Sequence, residues 1–309
     1  MILIIGNDRD GTDKVYDFIN SESDQRVVKY DARSCLDTDF ITISFEDNEM
    51  TLNVKNANEV ISSEEIDKVW FWKPILPKGL RSVEPHEDAV YIHRQFIALW
   101  RAIPFILRDA KMFNGYIESL IAENKPYQLS LASDLGFKIP RTLMTSDPES
   151  LEKMWESSDD ELIIKTLSST LSDKHVLFAH KLDESLYEQR DRIRSSPSIF
   201  QQLVDKVYDM RVTIVGDLVF AVKVVTEKKL DWRSGKMDLE VINLPDEIAQ
   251  MCVQLVKSLK LNYGSIDLSL DKKGNYYFLE INPNGQYRFV EEKTSLPISA
   301  AIAQYIISM

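Results

Sequence analysis

Three features of the sequence predict a mixed α/β fold of two or three subdomains around a cleft. The chain has 309 residues, more than one small core accommodates, and 44% of them are hydrophobic, enough to fill several cores. Its first half alternates short apolar runs with helical periodicity, beginning with residues 1–5, a run that stops at Gly6 and reads as a buried parallel strand. Its second half pairs strands across tight turns, at 209–215 with 218–225 and again within 266–282.

A first subdomain is expected over residues 1–112. Residues 12–20 suit a helix, 26–30 a second strand, and 41–45 with 50–54 a hairpin around Glu46-Asp47-Asn48. Residues 66–72 form another apolar strand, ending at Lys73-Pro74. The long helix 85–107 takes Pro85 in its first turn and repeats Ala89, Ile92, Phe96, Leu99 and Trp100 at helical spacing. Its His86 and His93 have no further partner that would make a metal site, and read as structural or surface residues.

A central subdomain is expected over 113–197. Asn114 can cap a helix to about residue 122, and Asn124-Lys125-Pro126 restarts a second helix that ends at Gly136. There follow a strand 142–145, a helix 148–156, a strand 161–165 ending in Lys165, a polar loop 167–174, a strand 176–179 and a charged helix 183–194. The last subdomain, 198–309, opens with a strand 199–204 that leads into Asp205-Lys206. It continues through the hairpin across Gly216-Asp217, a polar stretch 226–238 around Trp232-Arg233, an amphipathic helix 245–259, the hairpin 266–282 and a closing helix 296–307.

Composition and motifs exclude several classes. A net charge of −12 argues against non-specific nucleic-acid binding, so no nucleic-acid partner is expected. No apolar run approaches a membrane span, and the N-terminal run is short and lacks a basic flank; no membrane partner and a cytoplasmic location are the expectations. Cys35 and Cys252 form neither a disulfide framework nor a zinc spacing. The four histidines lie in no recognisable nucleophile context, and neither GxxxxGK[ST] nor GxGxxG is present.

The chemistry concentrates in 266–286. Two strands joined at Asp271-Lys272-Lys273-Gly274 place Glu280 and Asn282 two residues apart, on one face, with Asp267 on the partner strand. Two carboxylates and an amide oxygen on one face suit a hard divalent cation such as Mg²⁺, which takes oxygen ligands and leaves room for phosphates. An ordinary solvated hairpin would show the same alternation. Lys125 and Lys165 at element boundaries, with Arg211 and Arg233 flanking a hairpin, would complete a phosphate–metal cleft.

Five pieces stand in a telling order: Lys125 ahead of PYQLSLASDLGFKIPRT, LIIK ending at Lys165, the hinge Gln201-Gln202-Leu203-Val204, Asp209-Met210-Arg211, and Asp267 with Glu280-Ile281-Asn282. Over nearly the whole chain this order resembles the ATP-grasp superfamily. The resemblance implies an N-terminal pre-ATP-grasp α/β domain, a central domain and a C-terminal domain, with ATP and Mg²⁺ between the last two. It implies that Lys125 and Lys165 hold phosphates, that Gln201, Gln202, Leu203 and Val204 read adenine, and that Asp209 takes the ribose. It further implies that Asp267, Glu280 and Asn282 bind the metal and that Arg211 serves the γ-phosphate and the tetrahedral intermediate.

The run EINPNGQYRFVEEKTSLPISAAIA, the element Asp231-Trp232-Arg233 and VWFWKP, of which Asn282-Pro283-Asn284-Gly285-Gln286 is the most specific part, resemble the graspetide synthetases, microviridin-type peptide macrocyclases. That narrower resemblance implies ester or amide links between side chains of a ribosomally made precursor peptide, leader plus core, and a possible homodimer. Arg233 and Lys223 would then serve the acyl substrate, and Tyr187, Arg190 and Arg192 the leader. The loop LSSTLSDKH departs from the family's glycine-rich lid, and Lys73 stands where the family often has arginine. Two other readings stay open: a RimK-like carboxylate–amine ligase, and a non-catalytic peptide-binding protein of ATP-grasp shape.

Overall fold

The computed structural model describes residues 1–6, 11–72, 78–167, 170–172, 175–176, 179–227, 230 and 236–309, with the backbone alone at 81, 170–172 and 175–176. The first sheet is parallel, in the order Val27–Asp31, Ile2–Gly6, Lys68–Phe71, Lys111–Met112. Alternation along Ile2–Gly6 serves two cores. Ile2 and Ile4 face helices Thr12–Glu22 and Ile298–Ser308, and Leu3 and Ile5 face helix His86–Ile106 with the Leu52, Val54 and Ile61 side of a small sheet. That small sheet is antiparallel, Phe40–Glu46, Glu49–Lys55 and Val60–Ser62, and turns through Asp47 and Asn48 at φ 51° and 65°.

The central sheet runs His180–Lys181, Leu162–Thr166, Ser198–Gln202, Thr142–Thr145, antiparallel throughout. Leu162, Ile164, Phe200 and Leu143 turn to helix Pro148–Glu156, which Asp147 caps through Glu149 and Ser150 N–H. The strand Ser198–Gln202 is thus hydrogen-bonded into the sheet that precedes it in sequence, and the chain leaves that sheet at Leu203. The last sheet is antiparallel, in the order Met237–Val241, Leu218–Thr226, Lys206–Val215, Tyr263–Asp271, Tyr276–Asn282. Met210, Val212, Ile214, Ile266, Leu268, Phe278 and Ile281 cover one face of it against helix Asp246–Ser258.

Several expectations are corrected. The span 183–194 is not one helix: Glu184–Tyr187 is helical and Arg190–Ser195 is a 3₁₀ turn, because only Ile193 in the latter is buried and no apolar stripe holds three turns to the body. The expected loop 167–174 contains the strand Thr170–Ser172, paired with His175–Val176, and the expected strand 176–179 is represented among the described residues by His175–Val176 and His180–Lys181. Strand Met237–Val241 and helix Arg288–Thr294 were not anticipated. Asn114 does not cap helix Tyr116–Ala122, whose N-cap is Gly115; its side chain is buried elsewhere. Among the described residues no helix is long and apolar enough to cross a membrane.

Candidate active site

In the C-terminal sheet the face opposite the helix carries charge. Arg211 and Asp267 are cross-strand partners, as are Asp267 and Glu280, and Ser265 and Asn282. Cross-strand partners share a face, so five polar side chains from three strands converge. Arg211 Nη1 donates to Asp267 Oδ1 at 2.9 Å, and Lys125 Nζ donates to Glu280 Oε2 at 2.9 Å. Lys125 reaches across from the first turn of helix Lys125–Asp134, whose N-cap is Asn124 and whose Pro126 sits where an N–H is not needed. Arg211 and Asp267 are 7% and 6% exposed, so their charges are held out of water. Burial works against the Arg211 guanidinium, but the Asp267 charge and hydrogen bond outweigh it and raise its pKa.

A bulge makes this convergence possible. Asp267 opposes Glu280 while Leu268 opposes Phe278, so Leu279 is the extra residue. Phe278 and Glu280, two apart, would share a face in a regular strand; the bulge turns Phe278 to the helix core and Glu280 to the charged face. A second bulge at Val207 puts Lys206 and Asp209 together despite their odd separation. Lys206 Nζ and Ser269 Oγ each donate to the Asp209 carboxylate at 2.5 Å, and Asp209 is 4% exposed. Asp209 therefore lies on the charged face, with both oxygens engaged by protein.

The loop after the hairpin is shaped around Arg211. Arg211 Nη2 donates to Gln286 O at 3.3 Å, and Tyr263 OH donates to Gly285 O at 2.5 Å. A Cβ at 285 would sit 2.7 Å from Arg211 Nη2 and collide with Ser265, which explains the glycine. Asn282 Oδ1 accepts the Asn284 N–H at 2.9 Å. Asn114, missed as a site residue, locks the loop: its Nδ2 donates to Pro283 O at 2.9 Å and Tyr263 O at 3.0 Å, and its Oδ1 accepts the N–H groups of Asn262 and Tyr263. Its placement ahead of a helix suggested a cap, and nothing local in the sequence signals the long-range role.

The central sheet supplies a second group. Lys165 and Gln201 lie on the face away from helix Pro148–Glu156, and Lys165 Nζ donates to Gln201 Oε1 at 2.8 Å. Gln202, one residue on, points the other way and donates to Asp160 Oδ2 at 2.8 Å. Along the hinge, Gln202 N–H bonds Arg141 O and Leu203 N–H bonds Glu161 O, whereas Val204 O accepts Lys206 N–H.

Four expected residues fall outside these groups. Lys223 opposes Met210 and Glu240, on the helix-covered face, and pairs with Glu240 at 2.9 Å. Tyr187 stacks on Trp155 with centroids 4.5 Å apart, and Arg190 lies over Tyr187 and bonds Glu152 Oε1 at 3.1 Å, on the far side of the central sheet from Lys165. Arg192 is exposed. Arg233, with the rest of the Asp231–Arg233 element, lies outside the described residues, as does Lys73.

The donor set Asp267, Glu280 and Asn282 is all oxygen, which fits Mg²⁺. Each of its carboxylates already holds a cationic side chain, Lys125 on Glu280 and Arg211 on Asp267, and Arg211 Nε is buried without a hydrogen-bond partner among the described residues.

Comparison with known proteins places this geometry. Residues 122–306 match the family model of the RimK-like ATP-grasp domain. Over 195 residues the chain is 26% identical to a probable alpha-L-glutamate ligase of Haemophilus influenzae; the match takes in 60% of this chain and 63% of that relative, under two thirds of its length. The fold is similar to that of a Chryseobacterium gregarium RiPP-associated ATP-grasp ligase in complex with ADP and a leader and core peptide, with TM-score 0.85 and 24% identity over 99% of this chain and 96% of that one. It is also similar to macrocyclase MdnC bound with precursor peptide MdnA, from Microcystis aeruginosa, with TM-score 0.86 and 22% identity over 100% of both chains. A family model that takes in Lys125, Lys165, the hinge and the whole charged hairpin identifies this chain as a member of the RimK-like ATP-grasp family.

Proposed function

We propose that the protein is an ATP- and Mg²⁺-dependent peptide macrocyclase of the graspetide type. It would join Asp or Glu side chains of a ribosomal precursor peptide to Thr or Ser hydroxyls or Lys amines, in the cytoplasm. The observation that carries this reading is the closeness of the structural likeness. A peptide-bound RiPP-associated ligase and a peptide-bound macrocyclase align over 99% and 100% of this chain with TM-scores of 0.85 and 0.86, whereas a D-cycloserine synthetase, aligned over 100% of it, reaches 0.59. We divide the chain at 1–112, 113–197 and 198–309, with the strand Ser198–Gln202 lent to the central sheet as the hinge.

A carboxylate is a poor electrophile because its leaving group would be oxide. Its oxygen attacks the γ-phosphorus, ADP leaves, and an acyl-phosphate results; the hydroxyl or amine then attacks the acyl carbon, gives up its proton, and phosphate departs. Mg²⁺, held by Asp267, Glu280 and Asn282, would neutralise phosphate oxygens. Lys125 and Lys165 would hold the phosphates. Arg211, buried and fixed by Asp267, stabilises charge that develops on the phosphoryl group and the tetrahedral oxyanion. Gln201 and the Val204 N–H face adenine, and Asp209 lines the ribose side through Lys206 and Ser269. Arg233 serves the acyl substrate, and Tyr187, Arg190 and Arg192 a leader peptide. No enzyme nucleophile is required.

Incubation with ATP, Mg²⁺ and a small precursor peptide rich in Thr and Asp/Glu tests the reading. Loss of one water per link supports it. A mass gain of one amino acid supports a ligase acting like the glutamate-ligase relative, the second reading that the family match favours. Peptide binding without ADP release would support a non-catalytic role.

A further inference from the structure

We infer that Gln128 is a positioning residue of this site: its carboxamide sets where Lys125 meets Glu280. The inference rests on the reading of Lys125 as a phosphate-binding lysine. Gln128 lies one helical turn after Lys125, on the same face, and is 3% exposed. Its Nε2 donates to Ile281 O at 2.9 Å and to Ala122 O at 2.5 Å, and its Oε1 accepts Ile281 N–H at 3.1 Å. The orientation of the amide is forced, since two carbonyls need donors and one N–H needs an acceptor.

Strand Tyr276–Asn282 is the edge of its sheet, so the outward N–H and C=O of Ile281 have no neighbouring strand. The Gln128 amide supplies the two bonds such a strand would make, at the one residue between Glu280 and Asn282. Its third bond takes a carbonyl at the end of helix Tyr116–Ala122. A single side chain therefore ties the strand bearing two metal-ligand candidates to the helix whose first residue reaches Glu280 at 2.9 Å. An apolar residue would fill the space and leave three buried backbone groups unpaired. The same constraint would keep Lys125 in register when its ammonium turns from Glu280 to a phosphate.

A double-mutant cycle on the full chain tests this, with Gln128→Met and Lys125→Ala made singly and together. The readout is the affinity for a non-hydrolysable ATP analogue with Mg²⁺, by calorimetry. Gln128→Met is expected to weaken binding roughly tenfold in the unaltered chain and less than about twofold in Lys125→Ala. Equal factors in both backgrounds would make Gln128 a merely structural residue and overturn the inference while the reading of Lys125 stands. Unchanged affinity in Lys125→Ala would overturn that reading and the inference together. Hydrogen exchange adds a direct measure: the Ile281 amide should exchange faster in Gln128→Met while helix Asp246–Ser258 keeps its protection, and unchanged exchange would sink the inference. If Gln128→Met does not fold, Gln128→Asn, one methylene short of the edge, takes its place in the cycle with the same expected pattern.

Discussion

The central and C-terminal sheets each turn an apolar face to one helix, but their opposite faces differ. In the C-terminal sheet Asp209, Arg211 and Asp267 are almost wholly buried, and each is tied to protein partners: Lys206 and Ser269, Asp267 and Gln286, Arg211. In the central sheet the opposite face carries Lys165, half-buried and bonded to Gln201, beside the buried Ile163 and Ile199. Charges fixed in advance in a water-poor place are what a cation and a transferring phosphoryl group need, since no reorganisation is then required as charge develops. Binding a nucleotide needs less: a lysine at the end of a strand that can adjust. On the proposed function the C-terminal face would do the chemistry and the central one would grip the nucleotide, and substitutions on each should separate turnover from affinity.

The largest effect is expected at the carboxylates. Asp267→Ala and Glu280→Ala should each lower turnover by at least about 10³-fold, measured as peptide-dependent ADP release at saturating Mg²⁺, with peptide binding largely kept. Normal turnover in either would dismiss the metal assignment. Asn282→Ala should act in the same direction. Asp267→Ala should also cost stability, because it leaves the Arg211 guanidinium buried without its counter-charge; breaking one side of such a pair costs about 3–5 kcal/mol. A denaturant midpoint shift in Asp267→Ala that is absent in Glu280→Ala, whose partner Lys125 is more exposed, would sharpen the contrast.

Arg211→Ala comes next. In the proposed mechanism its guanidinium meets charge that develops in the transition state, so kcat should fall by roughly 10²–10³-fold while the KM for ATP moves much less. Arg211→Lys should not restore activity, because an ammonium cannot bond Asp267 and Gln286 O together as the planar fork does. Equal losses in kcat and affinity would blur the division between the two sheets.

How far these roles were legible in the sequence differs in the same way. The order of elements and the shared face of Glu280 and Asn282 follow from turn residues and alternation, which are local signals; that Asp267 opposes Glu280 needs the bulge at Leu279. Neither of the two bulges follows from such signals. Only the tertiary ladder shows that Leu279 and Val207 are extra residues, and those bulges put Phe278 and Glu280 on opposite faces and Lys206 beside Asp209. The facing of Lys223 is equally non-local: motif order says which strand it is on, and the register with Met210 says which side. Asn114 and Gln128 were invisible because their partners lie about 150 residues away, at Tyr263 and Ile281. The span 183–194 failed because charge density was read as helix without a buried stripe to hold it.

The finest test of the comparison lies at the hinge, where neighbouring glutamines point to opposite sides. Gln201→Ala removes the partner that orients Lys165, so the KM for ATP should rise about tenfold with kcat within about threefold. Gln202→Ala removes a bond to Asp160 on the far side of the sheet, and Lys223→Ala breaks an ion pair with Glu240 on the helix-covered face, half-exposed on both sides; each should change KM and kcat by less than about twofold. The order matters more than the sizes. If Gln202→Ala disturbed ATP binding more than Gln201→Ala, the nucleotide would lie on the helix side of the central sheet. The face that Lys165 shares with Gln201 would then be a structural face, and the division of labour between the two sheets would fail with it.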